Sequence, residues 1–315
     1  MKINAVHPPK RAPLLRAFGT LIALVLLVYL LSQQGWDEIT AAFQRIPAWQ
    51  LGLAFGVMMV SRLAVSARWY VLLRSSGAAI SLGQSIRITF AGLFASNFLP
   101  TTVGGDVIRL AGALQLKLDA AISTASLVVD RLVGMAGMAM AVPFGLPRLL
   151  EPGALQQVGR LPIFMAGFAS LPLGNWWRSS WEKGLKIFYR LLEALALWLR
   201  QPRALFAALV FTWVHMLCLF AILALLFDGM GDQIPVWLIG GLYSIVYFVT
   251  LLPISINGYG VQELIMAFVF SSLGKTSWAD GLTAAILFRT LMMLASLPGA
   301  LFVPGMLAGT NRGQQ

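Results

Sequence analysis

Only one residue of this 315-residue chain is a cysteine and only two are histidines. Cys218 lies inside an apolar run, so no intrachain disulfide can form, no cysteine-based metal site exists, and nothing calls for a cofactor. Charge is scarce too: charged residues make 11% of the chain against 58% hydrophobic ones, with a mean hydropathy of +0.79. A water-soluble chain of this length could not present that balance without aggregating. The formal net charge of +11 is scattered over short loops, with no basic face and no nucleic-acid motif. It points to membrane topology and acidic headgroups and argues against a nucleic-acid partner. A Walker-type phosphate loop is also lacking, because Gly104-Gly105 is not followed by Gly-Lys-Ser/Thr.

What the chain has in abundance is apolar runs. Lys2, Lys10, Arg11 and Arg16 precede the run 17–31, and the following Ser32-Gln33-Gln34-Gly35-Trp36 offers no Ala-x-Ala cleavage site. This predicts an uncleaved first transmembrane helix behind a cytoplasmic tail, residues 1–16. Asp37 and Glu38 against Arg45 place the next loop on the far side. The second span, 48–73, contains Arg62 and Arg68. Arg68, beside Trp69 and Tyr70, is expected to snorkel to the interface. Arg62 sits deeper, where a guanidinium costs about 2.5–3.5 kcal/mol on insertion scales, which makes it a site or counter-ion candidate. Further runs at 120–144, 161–173, 204–227, 236–252 and 282–307 complete a polytopic, all-α transmembrane bundle of about seven to nine spans. It forms a single membrane domain over 17–309, with a short tail, 310–315.

Two features modify this plan. Residues 175–203 carry six basic and two acidic side chains, with Leu185, Phe188, Leu192, Leu195 and Leu199 on one helical face. They predict an amphipathic helix in the cytoplasmic interface. His215, alone among Trp213, Met216 and Leu217, reads as a hydrogen-bonded packing residue more readily than as a proton relay.

Two stretches break the membrane pattern. The run 86–99 gives only fourteen residues before Pro100, about 21 Å of helix, too short for a hydrocarbon core of about 30 Å. It predicts a re-entrant segment that turns at Pro100 to Gly105 and returns Arg109 and Lys117 to the cytoplasmic side. The run 236–252 is expected to cross to the cytoplasmic side and deliver a second interruption, Pro253 to Glu263. The stretch 261–273 after it is again too short to cross unaided, and its length allows either crossing or re-entry. Pro298-Gly299 and Pro304-Gly305 should kink the last span.

Irregular backbone at membrane depth is tolerated only where protein or a wet cavity satisfies its polar groups, so the interruptions mark the candidate site. Asn97, Gly104, Gly105, Asp106 and Arg109 come from the first, and Gly258, Gly260 and Glu263 from the second. Asp130 and Arg131 sit in the middle of a span, and adjacent helical residues point about 100° apart, so each needs a partner elsewhere. Arg62, Arg109, Arg131 and Arg289 could neutralise an anionic headgroup, with Asp106, Asp130 and Glu263 orienting them, binding a cationic group or carrying protons.

The ordered motifs Asn97-x-x-Pro100-x-x-x-Gly104-Gly105-Asp106-x-x-Arg109, Asp130-Arg131-x-x-Gly134 and Pro253-x-Ser255-x-x-Gly258-x-Gly260-x-x-Glu263 resemble the transmembrane region of lysylphosphatidylglycerol synthases. The resemblance spans nearly the whole chain. It implies a flippase-like role in the bacterial cell membrane: a modified or anionic lipid, the partner substrate, moving between leaflets in a pathway that includes a lipid-modifying enzyme. The lysyl-transferring members carry a large soluble domain after this region and the present chain stops at Gln315, so aminoacyl transfer is not expected. The alternatives are a membrane transferase acting on a lipid-linked substrate, with Asp106 or Glu263 as general base, and an accessory subunit whose charges are structural.

Overall fold

The computed structural model describes residues 36–98, 104–151, 198, 200–251 and 260–303, and every regular element among them is helical. The run 17–31, the run 161–173, all of 175–197, both tails and the centres of the two interruptions lie outside the described residues. The helices are α1 (Trp36–Arg45), α2 (Ala48–Ser75), α3 (Leu82–Phe98), α4 (Gly104–Gln115), α5 (Ala120–Leu149), α6 (Pro202–Met230), α7 (Val236–Thr250), α8 (Val261–Ser272) and α9 (Trp278–Ser296). Where a loop was expected after residue 36, α1 forms instead, its ten residues containing no Gly or Pro to stop it. Likewise α5 runs past Phe144 and through Pro143 and Pro147, a tolerance found in membrane helices whose neighbours satisfy the freed backbone groups.

Among the described residues, four helices are long and apolar enough to cross a membrane: α2, α5, α6, and α9 taken with the 3-10 turn Leu297–Leu301. They share two ends. At the acidic end, the Arg45 guanidinium donates to the Met230 carbonyl at 2.7 Å and pairs with Asp280, and Gln50 Nε2 donates to Asp228 Oδ2 at 3.0 Å. The start of α2, the end of α6 and the start of α9 therefore meet there. At the basic end, Trp198 Nε1 donates to the Leu72 carbonyl at 3.1 Å, and Trp69 Nε1 donates to Ser126 Oγ at 3.1 Å. The end of α2, the start of α5 and the approach to α6 meet there, close to Arg74, Lys117, Arg200 and Arg203.

Between these ends the shorter helices form two hairpins that enter from opposite sides. Helices α3 and α4 both join the basic end and pack together inside, with a Cβ on Gly105 falling 2.6 Å from the Gly92 carbonyl oxygen and 1.9 Å from Ser96 Oγ. Arg109, one turn along α4, faces Gly92, so α3 and α4 run antiparallel, as the re-entrant reading required. Helix α7 leaves the acidic end, and its 15 residues reach only about 22 Å. Helix α8 then returns to that end, where residues 273–277 lead into α9. The expected crossing at 236–252 is thus a re-entry, which also settles how 261–273 is used.

The result is an inverted repeat. Helices α2, α3, α4 and α5 have 28, 17, 12 and 30 residues; α6, α7, α8 and α9 have 29, 15, 12 and 19 and follow the same course from the opposite end. Each hairpin locks onto the far end of the other half's last helix. A Cβ on Gly241 of α7 would lie 2.1 Å from the Gly145 amide nitrogen of α5, and one on Gly299 would lie 2.0 Å from the Phe90 carbonyl oxygen of α3. Here Pro298-Gly299 acts less as a kink than as a stop, tightening α9 into a 3-10 turn that lets the α3 backbone come close. Local caps repeat as well. Asp119 Oδ1 accepts from the Ile122 amide before α5, and Ser277 Oγ accepts from the Asp280 amide before α9, both at 2.9 Å. The largest apolar core lies between α2, α6, α7, α8 and α9.

Candidate functional site

Each broken hairpin supplies one carboxylate, at the third residue of a helix that starts inside the membrane: Asp106 in α4 and Glu263 in α8. A helix N-terminus favours negative charge in its first turn. Both carboxylates lie nine residues before the end of their helix, about 14 Å from the end of the bundle they return to. Both also receive an arginine from the next long helix. Arg131 Nε of α5 donates to Asp106 Oδ2 at 2.6 Å, and Arg289 of α9 pairs with Glu263 while donating to Gln262 Oε1 at 2.9 Å.

In the first half this pair extends into a chain of alternating charges. Arg109, one turn after Asp106, places Nη1 3.5 Å from Asp106 Oδ1 and 3.0 Å from Asp130 Oδ2. Its guanidinium carbon stands 4.5 Å over the Trp69 ring, a cation–π arrangement. Arg68 Nε donates to the other Asp130 oxygen at 2.6 Å, and its Nη1 donates to Thr212 Oγ1 at 3.2 Å. Asp130 is only 2% exposed, so two guanidinium groups compensate a carboxylate withdrawn from solvent. Gly134 leaves the room this needs, since a Cβ there would lie 3.3 Å from Arg68 Nη1.

Asp130 and Arg131 thus find separate partners, as their angular offset required. Arg68, by contrast, does not snorkel: it is 7% exposed and is the nearest partner of Asp130. Six residues of helix turn a side chain by about 600°, or 120° short of two full turns, so Arg62 and Arg68 face different neighbours. Arg68 faces α5. Arg62 opens onto a cavity of about 250 Å³ bounded by α2, α5, α6, α7, α8 and α9. Tyr243, Tyr247 and Thr250 of α7, Gln262 of α8 and His215 of α6 supply its polar wall, and Met138, Leu219, Val246 and Met292 the apolar one. His215 Nδ1 lies 2.6 Å from Ser61 Oγ, so it is hydrogen-bonded, as a packing residue should be, and also lines the cavity.

The remaining candidates have more structural surroundings. Asn97 Nδ2 donates to Ser296 Oγ at 3.0 Å, tying the tip of α3 to the end of α9. Gly104 and Gly105 are buried, and Gly105 abuts α3. Gly260, at φ 76°, holds the positive-φ conformation from which α8 starts, a region glycine enters without a Cβ penalty. Gly258 lies outside the described residues. Sequence reasoning missed Arg68, Trp69, Thr212, Tyr243, Tyr247 and Gln262. Only Arg68 had a sequence signal, as a charge within an apolar run.

Two inverted re-entrant hairpins, with a polar cavity beside the second, define a polytopic helical membrane protein of the broken-helix type. The chain belongs to the family of the lysylphosphatidylglycerol synthase TM region, whose family model matches residues 16–299. It is accordingly a multi-pass membrane protein related to lipid handling. Among curated protein sequences none matches closely enough to add to this assignment.

Proposed function

We propose that the protein moves an anionic or modified lipid between leaflets, the headgroup passing the cavity beside the second hairpin while the acyl chains stay in the bilayer. The observation that carries this reading is the charge balance around the inverted hairpins. Arg62, Arg68, Arg109, Arg131 and Arg289 face only Asp106, Asp130 and Glu263 among the described residues at this depth. That surplus of positive charge suits a negatively charged group and disfavours a cation. An inverted repeat also provides two related conformations, one open to each side, by rocking one half against the other. Energy would come from a gradient or from lipid imbalance.

On this reading, and by the positive-inside rule, the basic end would face the cytoplasm of a bacterial cell, with the acidic end outside and the N-terminal tail cytoplasmic. A lipid-modifying enzyme of the same pathway would supply the substrate. A lipid-linked transferase would use Asp106 or Glu263 as a general base, but each is engaged by an arginine, and nothing in the geometry favours that reading over transport.

Reconstitution into vesicles with headgroup-labelled phosphatidylglycerol tests the proposal. Label in the inner leaflet should become accessible to an external quencher, more slowly in Asp106→Asn and Glu263→Gln. Label that stays inaccessible, with covalent modification of the lipid instead, would replace transport by the transferase.

A further inference from the structure

We propose that the Arg62 cavity is a phosphate-binding site, in which the Nε/Nη2 edge of the guanidinium takes two oxygens of a phosphodiester. The proposal deepens the lipid-translocation reading and rests on it for the carrier of the phosphate.

Of the arginines at this depth, Arg109, Arg131, Arg68 and Arg289 each meet a carboxylate. Arg62 meets none among the described residues. It is 5% exposed, and its Nε and Nη2 are buried without a hydrogen-bond partner among the described residues. A buried charge without compensation costs several kcal/mol, and hydrogen-bonding groups withdrawn from water add to that. The two orphaned nitrogens are not a random pair. They form one edge of the planar guanidinium, the fork that matches two oxygens of a phosphate or carboxylate. An anion seated on that edge would remove both penalties at once.

The rest of the cavity selects the kind of anion. Among the described residues no carboxylate lines it. The hydroxyls of Tyr243 and Tyr247 and the amide NH2 of Gln262 are neutral groups able to donate to further lone pairs, while Thr250 Oγ1 donates to the Tyr247 carbonyl at 2.8 Å. A phosphodiester has more acceptor sites than the fork alone can serve, and its single charge balances the single charge of Arg62. The volume, about 250 Å³, is below the roughly 300 Å³ at which pockets begin to hold drug-sized molecules. It admits a headgroup and excludes a whole lipid. Gln262 links the cavity to the Glu263–Arg289 pair through its bond to Arg289, so an occupant touches the second re-entrant hairpin directly.

The test uses the full-length protein in a non-ionic detergent, with its thermal unfolding midpoint followed by tryptophan fluorescence. The probes are dioleoylphosphatidylglycerol, dioleoylglycerol, which lacks the phosphate, and inorganic phosphate. Phosphatidylglycerol should raise the midpoint and dioleoylglycerol should not. Arg62→Met should weaken apparent phosphatidylglycerol affinity about tenfold or more, the value of a charge-assisted pair. Arg62→Lys, which keeps the charge and loses the fork, and Tyr243→Phe should fall between, so the test survives if Arg62→Met does not fold. A rise with inorganic phosphate that also depends on Arg62 assigns the site to free anion as well as lipid. Equal shifts in the natural protein and the Arg62 variants, or no shift with either phosphate probe, overturn the proposal. The vesicle assay separates the two readings. Arg62-dependent binding without transbilayer movement leaves the site and removes the flippase, whereas unchanged movement in Arg62→Met leaves the flippase and removes the site.

Discussion

Asp106 and Glu263 hold the same place in two halves that run in opposite directions, and each takes an arginine from the next long helix, 25 residues on in the first half and 26 in the second. Around them the halves diverge. Arg109 lies three residues after Asp106, and Met266 lies three after Glu263. Asp130 precedes Arg131, and Phe288 precedes Arg289. Arg68 of α2 corresponds to Ile222 of α6 when Ser61 and His215, the hydrogen-bonded pair where those helices touch, are set in register. Met266, Phe288 and Ile222 are all fully buried. The same scaffold position is therefore filled by an ionic cluster in one half and by ordinary core in the other. Apolar residues close this fold at least as well as buried ions, which often can be replaced by hydrophobic side chains without loss. What the first half's cluster contributes beyond stability is a charge pattern on one side of the midplane, and that gives an otherwise symmetric fold a direction.

The largest effect should come from breaking this cluster in two different ways. Asp130→Ala removes the carboxylate shared by Arg68 and Arg109, leaves two buried guanidinium groups uncompensated and should cost about 3–5 kcal/mol, seen as a lost or strongly lowered thermal midpoint in detergent. Transplanting the second half's residues, Arg68→Ile with Asp130→Phe and Arg109→Met, should recover most of that stability while transbilayer movement in vesicles stays lost. If the triple variant is no more stable than Asp130→Ala, the cluster is structural and the two halves are not interchangeable as argued.

A smaller contrast separates the two carboxylate–arginine pairs. The side chains of Glu263 and Arg289 are 8% and 11% exposed, those of Asp106 and Arg131 are 21% and 58%. Glu263→Gln should destabilise by several kcal/mol, in the range of a broken buried pair. Asp106→Asn should cost about 1 kcal/mol or less through its exposed arginine if the open side of that pair is water-filled, where screening applies. Both should slow transport if the inverted hairpins act together. Equal losses of stability would mean that the pairs are buried alike in the membrane.

Much of this was readable beforehand, for physical reasons that differ by residue. Pro100 and Pro253 each open a Pro/Gly-rich stretch that carries a carboxylate inside an apolar region, so both interruptions announce themselves in the sequence. The adjacency of Asp130 and Arg131 fixes their divergence. The inversion was not readable: a short apolar helix looks the same whichever end it enters from, and the 236–252 run is hydrophobic enough to pass for a crossing. Tyr243 and Tyr247 resemble ordinary apolar-run aromatics until α7 is seen to stop beside Arg62. Helix α1 was mistaken for a loop because its charges were read for sidedness alone.

The smallest effect concerns the loops. The turn between α6 and α7 carries Asp232, and the corresponding turn between α2 and α3, Ser76 to Ser81, carries no acid. Burial pushes the Asp232 carboxyl above its ordinary 3.8, the Asp280 carboxylate pushes it the same way, and Arg45 opposes both. The folded protein therefore binds this proton more tightly than the unfolded chain does. The resulting stability is fully present below pH 3.8 and is lost as pH rises through the elevated value. The group is partly exposed, so the effect should be about 1 kcal/mol or less. Asp232→Asn should flatten the pH dependence of the thermal midpoint in that window and leave the protein at least as stable near neutrality. Because the opposite turn has nothing to titrate, Ala78→Asp should introduce the same downward slope at the other end only if that turn buries its side chain as this one does; Ala78 is already half-buried, so a slope should appear, and a flat profile would show that the two turns differ in burial as well as in charge.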